Sequence, residues 1–146
     1  MNAKRILIGG TVAGALIAAG ETLLEMVLVR RDTTGLVAEA VNATPFGIFL
    51  LRCFSLGICC VLVYVLIRPK VGAGPKTAIT AGLLAFLFGV LFPSFGDTLN
   101  GTFPPNLILM SIIWSAVELP IAALIGAYLY QEESDQAVGA IASNPV

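Results

Sequence analysis

Three acids and one base, Glu21, Glu25, Arg52 and Glu118, lie inside stretches otherwise too apolar to hold them cheaply. At mid-membrane each costs about 3 kcal/mol or more unless it is paired, neutralised or hydrated. Glu21 and Glu25 are four residues apart, which puts both carboxyls on one face of a helix. Carboxyls in that setting can pair with a buried cation, carry a proton, or bind a cationic solute. Other chemistries find no support. The sequence has no nucleophile–base pair, metal motif or phosphate-cradling loop, so no catalytic residue is assigned. Histidine is absent, which removes the commonest metal ligand and the usual axial ligand of haem. Cys53, Cys59 and Cys60 share one apolar stretch without metal-ligand spacing and read as small packing residues. No metal and no cofactor is expected.

The elements that must position these residues are membrane helices. Of 146 residues 58% are hydrophobic and 12% charged, about half the ~25% charged that soluble domains carry. Crossing a hydrocarbon core takes roughly 20 mostly apolar residues, and four runs qualify, the third being the shortest: about 6–29, 46–67, 77–92 and 107–130. They are too long for barrel strands and do not alternate, so helix is the assignment. The expected fold is an all-α integral membrane bundle of four transmembrane helices, a single domain over 1–146 with a polar tail at 131–146. The first run exceeds the ~7–15 apolar residues of a signal peptide and reads as a retained span. The third is expected to stop at Pro93 and Gly96. Residues 34–42 carry apolar side chains at helical spacing, as a short interfacial helix would. Net charge is −1 with no block of like charge, which argues against a nucleic-acid partner.

Basic residues set the orientation. Lys4, Arg5, Arg68, Lys70 and Lys76 fall on one side and Arg30 and Arg31 on the other, so both termini are expected in the cytoplasm. Counted from the outer span ends, Glu25 lies ~6 Å deep, Arg52 ~9 Å, Glu21 ~12 Å and Glu118 ~16 Å. Similar depth on sequential helices predicts a Glu25–Arg52 salt bridge. One base cannot balance three carboxylates, and Glu118, the deepest, is expected to be protonated at neutral pH and to face the bundle interior. Pro120 removes a backbone donor two residues later and predicts a kink there, with Trp114 one turn before Glu118. Gly10, Gly14 and Ala18, and Ala122 and Gly126, form small-residue stripes suited to close helix packing.

Ala13-Gly14 through Glu21, the connection Arg68-Pro69-Lys70 with Gly72-Ala73-Gly74-Pro75-Lys76-Thr77-Ala78, and Glu118 with Gly126-Ala127-Tyr128-Leu129-Tyr130 carry a resemblance. The chain resembles an uncharacterised family of small four-helix bacterial inner-membrane proteins. That resemblance implies a multi-pass place in the bacterial inner (plasma) membrane and supplies no activity. The leading functional expectation is a non-enzymatic auxiliary or structural membrane subunit. Its partners would be membrane lipid and other membrane subunits or further copies of itself. The alternative is a small proton- or cation-coupled transporter or channel using the intramembrane glutamates. The orientation is directly testable. Thr98→Cys on a cysteine-free background should react with an impermeant reagent from outside the cell; labelling from the cytoplasmic side alone would invert the topology.

Overall fold

The computed structural model describes residues 3–101 and 103–130, and among these every regular element is helical. They are α1 (Ala3–Arg31), α2 (Leu36–Ala43), α3 (Phe46–Val71), α4 (Pro75–Phe86), a π turn (Leu87–Leu91), α5 (Phe92–Asn100) and α6 (Pro105–Leu129). Four helices are long and apolar enough to cross a membrane: Ala3–Arg31, Phe46–Val71, Pro75–Asn100 and Pro105–Leu129. The chain is thus built as a multi-pass membrane protein. Helices satisfy all their backbone groups internally, which hydrocarbon demands. At ~1.5 Å per residue each is longer than the ~30 Å core and must tilt or project into the headgroups. The tail at 131–146 lies outside the described residues.

The third span departs from expectation. Pro93 and Gly96 do not end it; helix continues to Asn100. A proline ring normally collides with the carbonyl four residues back. Here the turn before it widens, with the Phe92 N–H bonded to the Leu87 carbonyl five residues back, and the ring is accommodated. The stop comes instead at Gly101, whose φ of 62° closes α5 in the left-handed conformation. This extension carries Ser94 and Asp97 on a helix rather than a loop.

The short helix α2 forms where its apolar spacing suggested. Asp32 starts it: one carboxylate oxygen accepts the Val37 N–H at 2.7 Å and the other the Thr34 N–H at 2.9 Å. The Thr34 hydroxyl also donates to this carboxylate, and these bonds hold it below the usual carboxylate range. The cap is intact above that range and is lost only as pH falls through the lowered value.

Packing centres on glycine. A Cβ on Gly57 of α3 would run into the backbone of Gly10 and Gly14 on α1. Gly10 in turn lies against Ile58, and Gly14 against Phe54. Similar bare contacts join Gly9 to Gly126 between α1 and α6, and Gly82 to Pro120 between α4 and α6. Both expected stripes therefore sit in helix contacts, with Ala122 buried and Ala18 packed at the core's edge. Gly57, Gly9 and Gly82 were not anticipated. The buried core follows these contacts, with Ala13, Ile17, Cys53, Cys60, Leu119 and Ala123 at or near zero exposure. Without a hydrophobic drive in lipid, such backbone proximity is what holds membrane helices together. α6 stays one helix through Pro120, whose backbone packs on Gly82.

Gly57→Ala should therefore cost about 1–3 kcal/mol and Gly14→Leu more, by forced separation of α1 and α3. Gly96 has open space around it, so Gly96→Ala should be neutral or gain up to about 1 kcal/mol from helix propensity. Unfolding by denaturing detergent, read by near-ultraviolet dichroism, checks the contrast. Equal stability of the Gly57 and Gly96 variants would refute it.

Candidate functional site

The glycine contacts fix the register of α1 against α3. With Gly10 beside Ile58 and Gly14 beside Phe54, Arg52 comes level with residue 16 on α1. Glu21 is then about 7.5 Å further along the axis and Glu25 about 13.5 Å. The ion pair accordingly joins Arg52 to Glu21, Nη2 to Oε2 at 2.7 Å, and not to Glu25. The outer ends of α1 and α3 are not level, as depths counted from the span ends require. In fact α1 runs on to Arg31, and α3 begins about level with Thr22. The Glu21 side chain is 10% exposed and that of Arg52 58% exposed, so the carboxylate is sunk in the bundle while the guanidinium projects from it.

That projection enters a cavity of about 330 Å³ between α1, α2, α3, the π turn, α5 and α6. Glu21, Glu25 and Arg52 line it, together with Asp97 from the unexpected extension of the third span. Ser94, Ser111 and Ser115 supply hydroxyls. The rest of the wall is largely aliphatic, including Leu24, Leu28, Val37 and Leu107. The cavity thus presents three carboxyls to one guanidinium, and Glu21 already holds the guanidinium. Among the described residues Glu25 and Asp97 have no salt-bridge partner.

Glu118 stands apart from the cavity wall. Its carboxyl lies against the bare backbone of Gly20, where a Cβ would collide with Oε1. This places it between α6 and α1, against the residue that precedes Glu21. Both oxygens are buried and neither has a hydrogen-bond partner. The Trp114 indole one turn earlier interacts with the carboxyl without closing a hydrogen bond on it. Ser111, Ser115 and Glu118, at i, i+4 and i+7, make one polar stripe down α6 from the cavity to this carboxyl. The stripe was readable in the sequence as three polar residues at helical spacing in an apolar run. Asp97 and Ser94 were hidden by reading Pro93 as a stop.

Comparison of the chain with family models, with curated proteins and with solved structures gives no match. The site therefore has to be read from its own chemistry.

The Glu21–Arg52 pair can be separated from Glu25 by double-mutant cycles. Glu21→Gln and Arg52→Gln should be coupled by about 1–3 kcal/mol, because either alone strands the other's charge. Glu25→Gln and Arg52→Gln should add to within about 0.5 kcal/mol. Unfolding free energies in mild detergent give both cycles; the reverse ranking would restore the Glu25 pairing.

Proposed function

We propose that this chain is a small carrier of the bacterial inner membrane that takes a cation into the cavity and exchanges it against a proton held by Glu118. The observation that carries the reading is the cavity itself, in which Arg52 satisfies Glu21 and leaves Glu25 and Asp97 as unmatched negative charge. Packing alone would not require such a space: the half of the bundle nearer the termini is closed by glycine and alanine contacts, whereas this half is open. The auxiliary-subunit reading accounts for the Glu21–Arg52 pair as a lock between helices. It gives no use to Glu25, Asp97 and the serines around a cavity.

Glu118 is the proton site on grounds of burial. A charged carboxylate with two buried, unpartnered oxygens costs several kcal/mol, and a neutral carboxylic acid avoids that cost. A cation entering between Glu25 and Asp97 adds positive potential to the acid cluster and favours release of the Glu118 proton. One positive charge enters as one leaves. With both termini in the cytoplasm, the cavity faces outward and loads from that side.

The test combines spectroscopy and flux. An infrared band of a protonated carboxyl should be present at neutral pH and absent in Glu118→Gln. In proteoliposomes holding a pH-sensitive dye, imposed gradients of inorganic and organic cations should drive proton movement through wild type. In Glu118→Gln the movement should fall at least about tenfold. A band unaffected by the substitution, or flux no greater than in protein-free liposomes, would return the protein to the auxiliary-subunit reading.

A further inference from the structure

We infer that the cation held in the cavity is an organic ammonium with an apolar body, its head between Glu25 and Asp97 and its body along the aliphatic wall. The inference rests on the carrier reading for the cavity's being a binding site and adds the class of its occupant.

Size and ligand geometry argue first. A space of about 330 Å³ falls in the range of small-molecule pockets and far exceeds what an inorganic cation fills. Metal ions need several donors converging at about 2.0–2.6 Å. Among the described residues no three His, Cys, Asp or Glu side chains converge in that way. Glu25 comes from α1 and Asp97 from α5, so the two carboxylates address a ligand from separate helices. An ammonium needs no rigid coordination shell; carboxylates and a hydroxyl can each take one of its N–H donors.

The wall argues second. Leu24, Leu28, Val41, Phe103, Leu107 and Ile108 line the same space as the carboxylates. An inorganic cation or a small hydrophilic amine would gain nothing from that surface. A ligand with an alkyl or aryl body would bury it, at about 25 cal/mol per Å² of apolar area removed from water.

Ser115 is the independent sign of a ligand. Hydroxyls in membrane helices are normally returned to the carbonyl four residues back. Thr22, Thr80, Ser94 and Thr98 do this here, at 2.7–2.9 Å; Thr11, Ser55 and Ser111 do not, but none of these three is buried. Ser115 does not. It is 1% exposed, its Oγ has no hydrogen-bond partner in the protein, and it lines the cavity. A buried hydroxyl left unpaired costs about 1–3 kcal/mol, and a polar atom of an occupant that reaches the Ser115 end of the cavity removes that cost.

Two sources offer this chemistry, a soluble amine and the headgroup of an aminophospholipid, and the experiment separates them. Delipidated protein in mild detergent is titrated calorimetrically with phenethylammonium, with its neutral isostere 2-phenylethanol, and with sodium, potassium and magnesium chlorides. Phenethylammonium should bind at least about tenfold more tightly than 2-phenylethanol, and Glu25→Gln and Asp97→Asn should each weaken it by about tenfold. The isostere comparison uses wild type alone, so it decides even if a variant fails to fold. In a second arm, native mass spectrometry follows protein from nanodiscs of phosphatidylcholine with or without phosphatidylethanolamine. Selective retention of phosphatidylethanolamine, lost in Glu25→Gln, identifies the headgroup as the source of the ammonium, and calorimetric binding without such retention identifies a soluble amine. Equal binding of the alcohol and the ammonium overturns the inference. So does binding of an inorganic cation alone, which would leave the carrier reading standing. If no cation binds and proton flux is also absent, both fall together.

Discussion

The close approach of α1 and α3 at Gly10, Gly14 and Gly57 is the contact on which the rest of this structure depends. Lipid offers no hydrophobic drive for helices to associate, so backbone proximity through missing side chains has to supply it. Once Gly57 is seated against Gly10 and Gly14, the axial register of the two helices is fixed. The level of Arg52 on α1 follows, and with it the choice of Glu21 over Glu25 as its partner. A glycine contact thereby decides which glutamate is paired and which is left without a salt-bridge partner.

Gly20 extends the same logic to the third glutamate. Lacking a side chain, it lets the Glu118 carboxyl lie directly on α1. The acid is thereby brought beside Glu21 but kept off the cavity wall. Two carboxyls in opposite settings result: one paired with arginine, the other with both oxygens buried and without a hydrogen bond. Environments that differ this much on neighbouring residues are a familiar way of separating a fixed charge from a movable proton.

Much of the fold was readable in the sequence because one physical demand dominates it. Backbone groups in hydrocarbon must bond within a helix, so long apolar runs identify spans with little ambiguity. The end of the third span was not readable. Pro93 is a helix breaker by its own chemistry, and only the five-residue hydrogen bond to Leu87 absorbs it. The four charged residues stood out for the same reason as the spans, since each violates the apolar pattern. Their pairing did not, because depth counted from helix ends ignores where helices cross. The cavity was hidden altogether. Its wall draws on residues from nearly every element, and only Ser111, Ser115 and Glu118 marked part of the polar path on one helix.

The uneven distribution of small residues gives the cavity its place. Gly9, Gly10, Gly14, Gly57, Gly82 and Gly126 make their contacts in the half of the bundle nearer the chain termini. There the core is closed around Val61, Tyr64, Ala81 and Ala127. In the other half Gly89 has only the end of the Leu56 side chain near it and Gly96 has open space, so no comparable seam forms. Helix α2, capped by Asp32, fills part of that space with Val37 and leaves the remainder lined by acids and serines. The π turn sits where the third span passes from the closed half to the open one, with α4 packed on α6 through Gly82 below it. A single widened turn of this kind is often found at functional sites, and the segment beyond it carries Asp97. The bundle is therefore sealed by backbone contacts in one half and open in the half where, among the described residues, Glu25 and Asp97 lie without a salt-bridge partner.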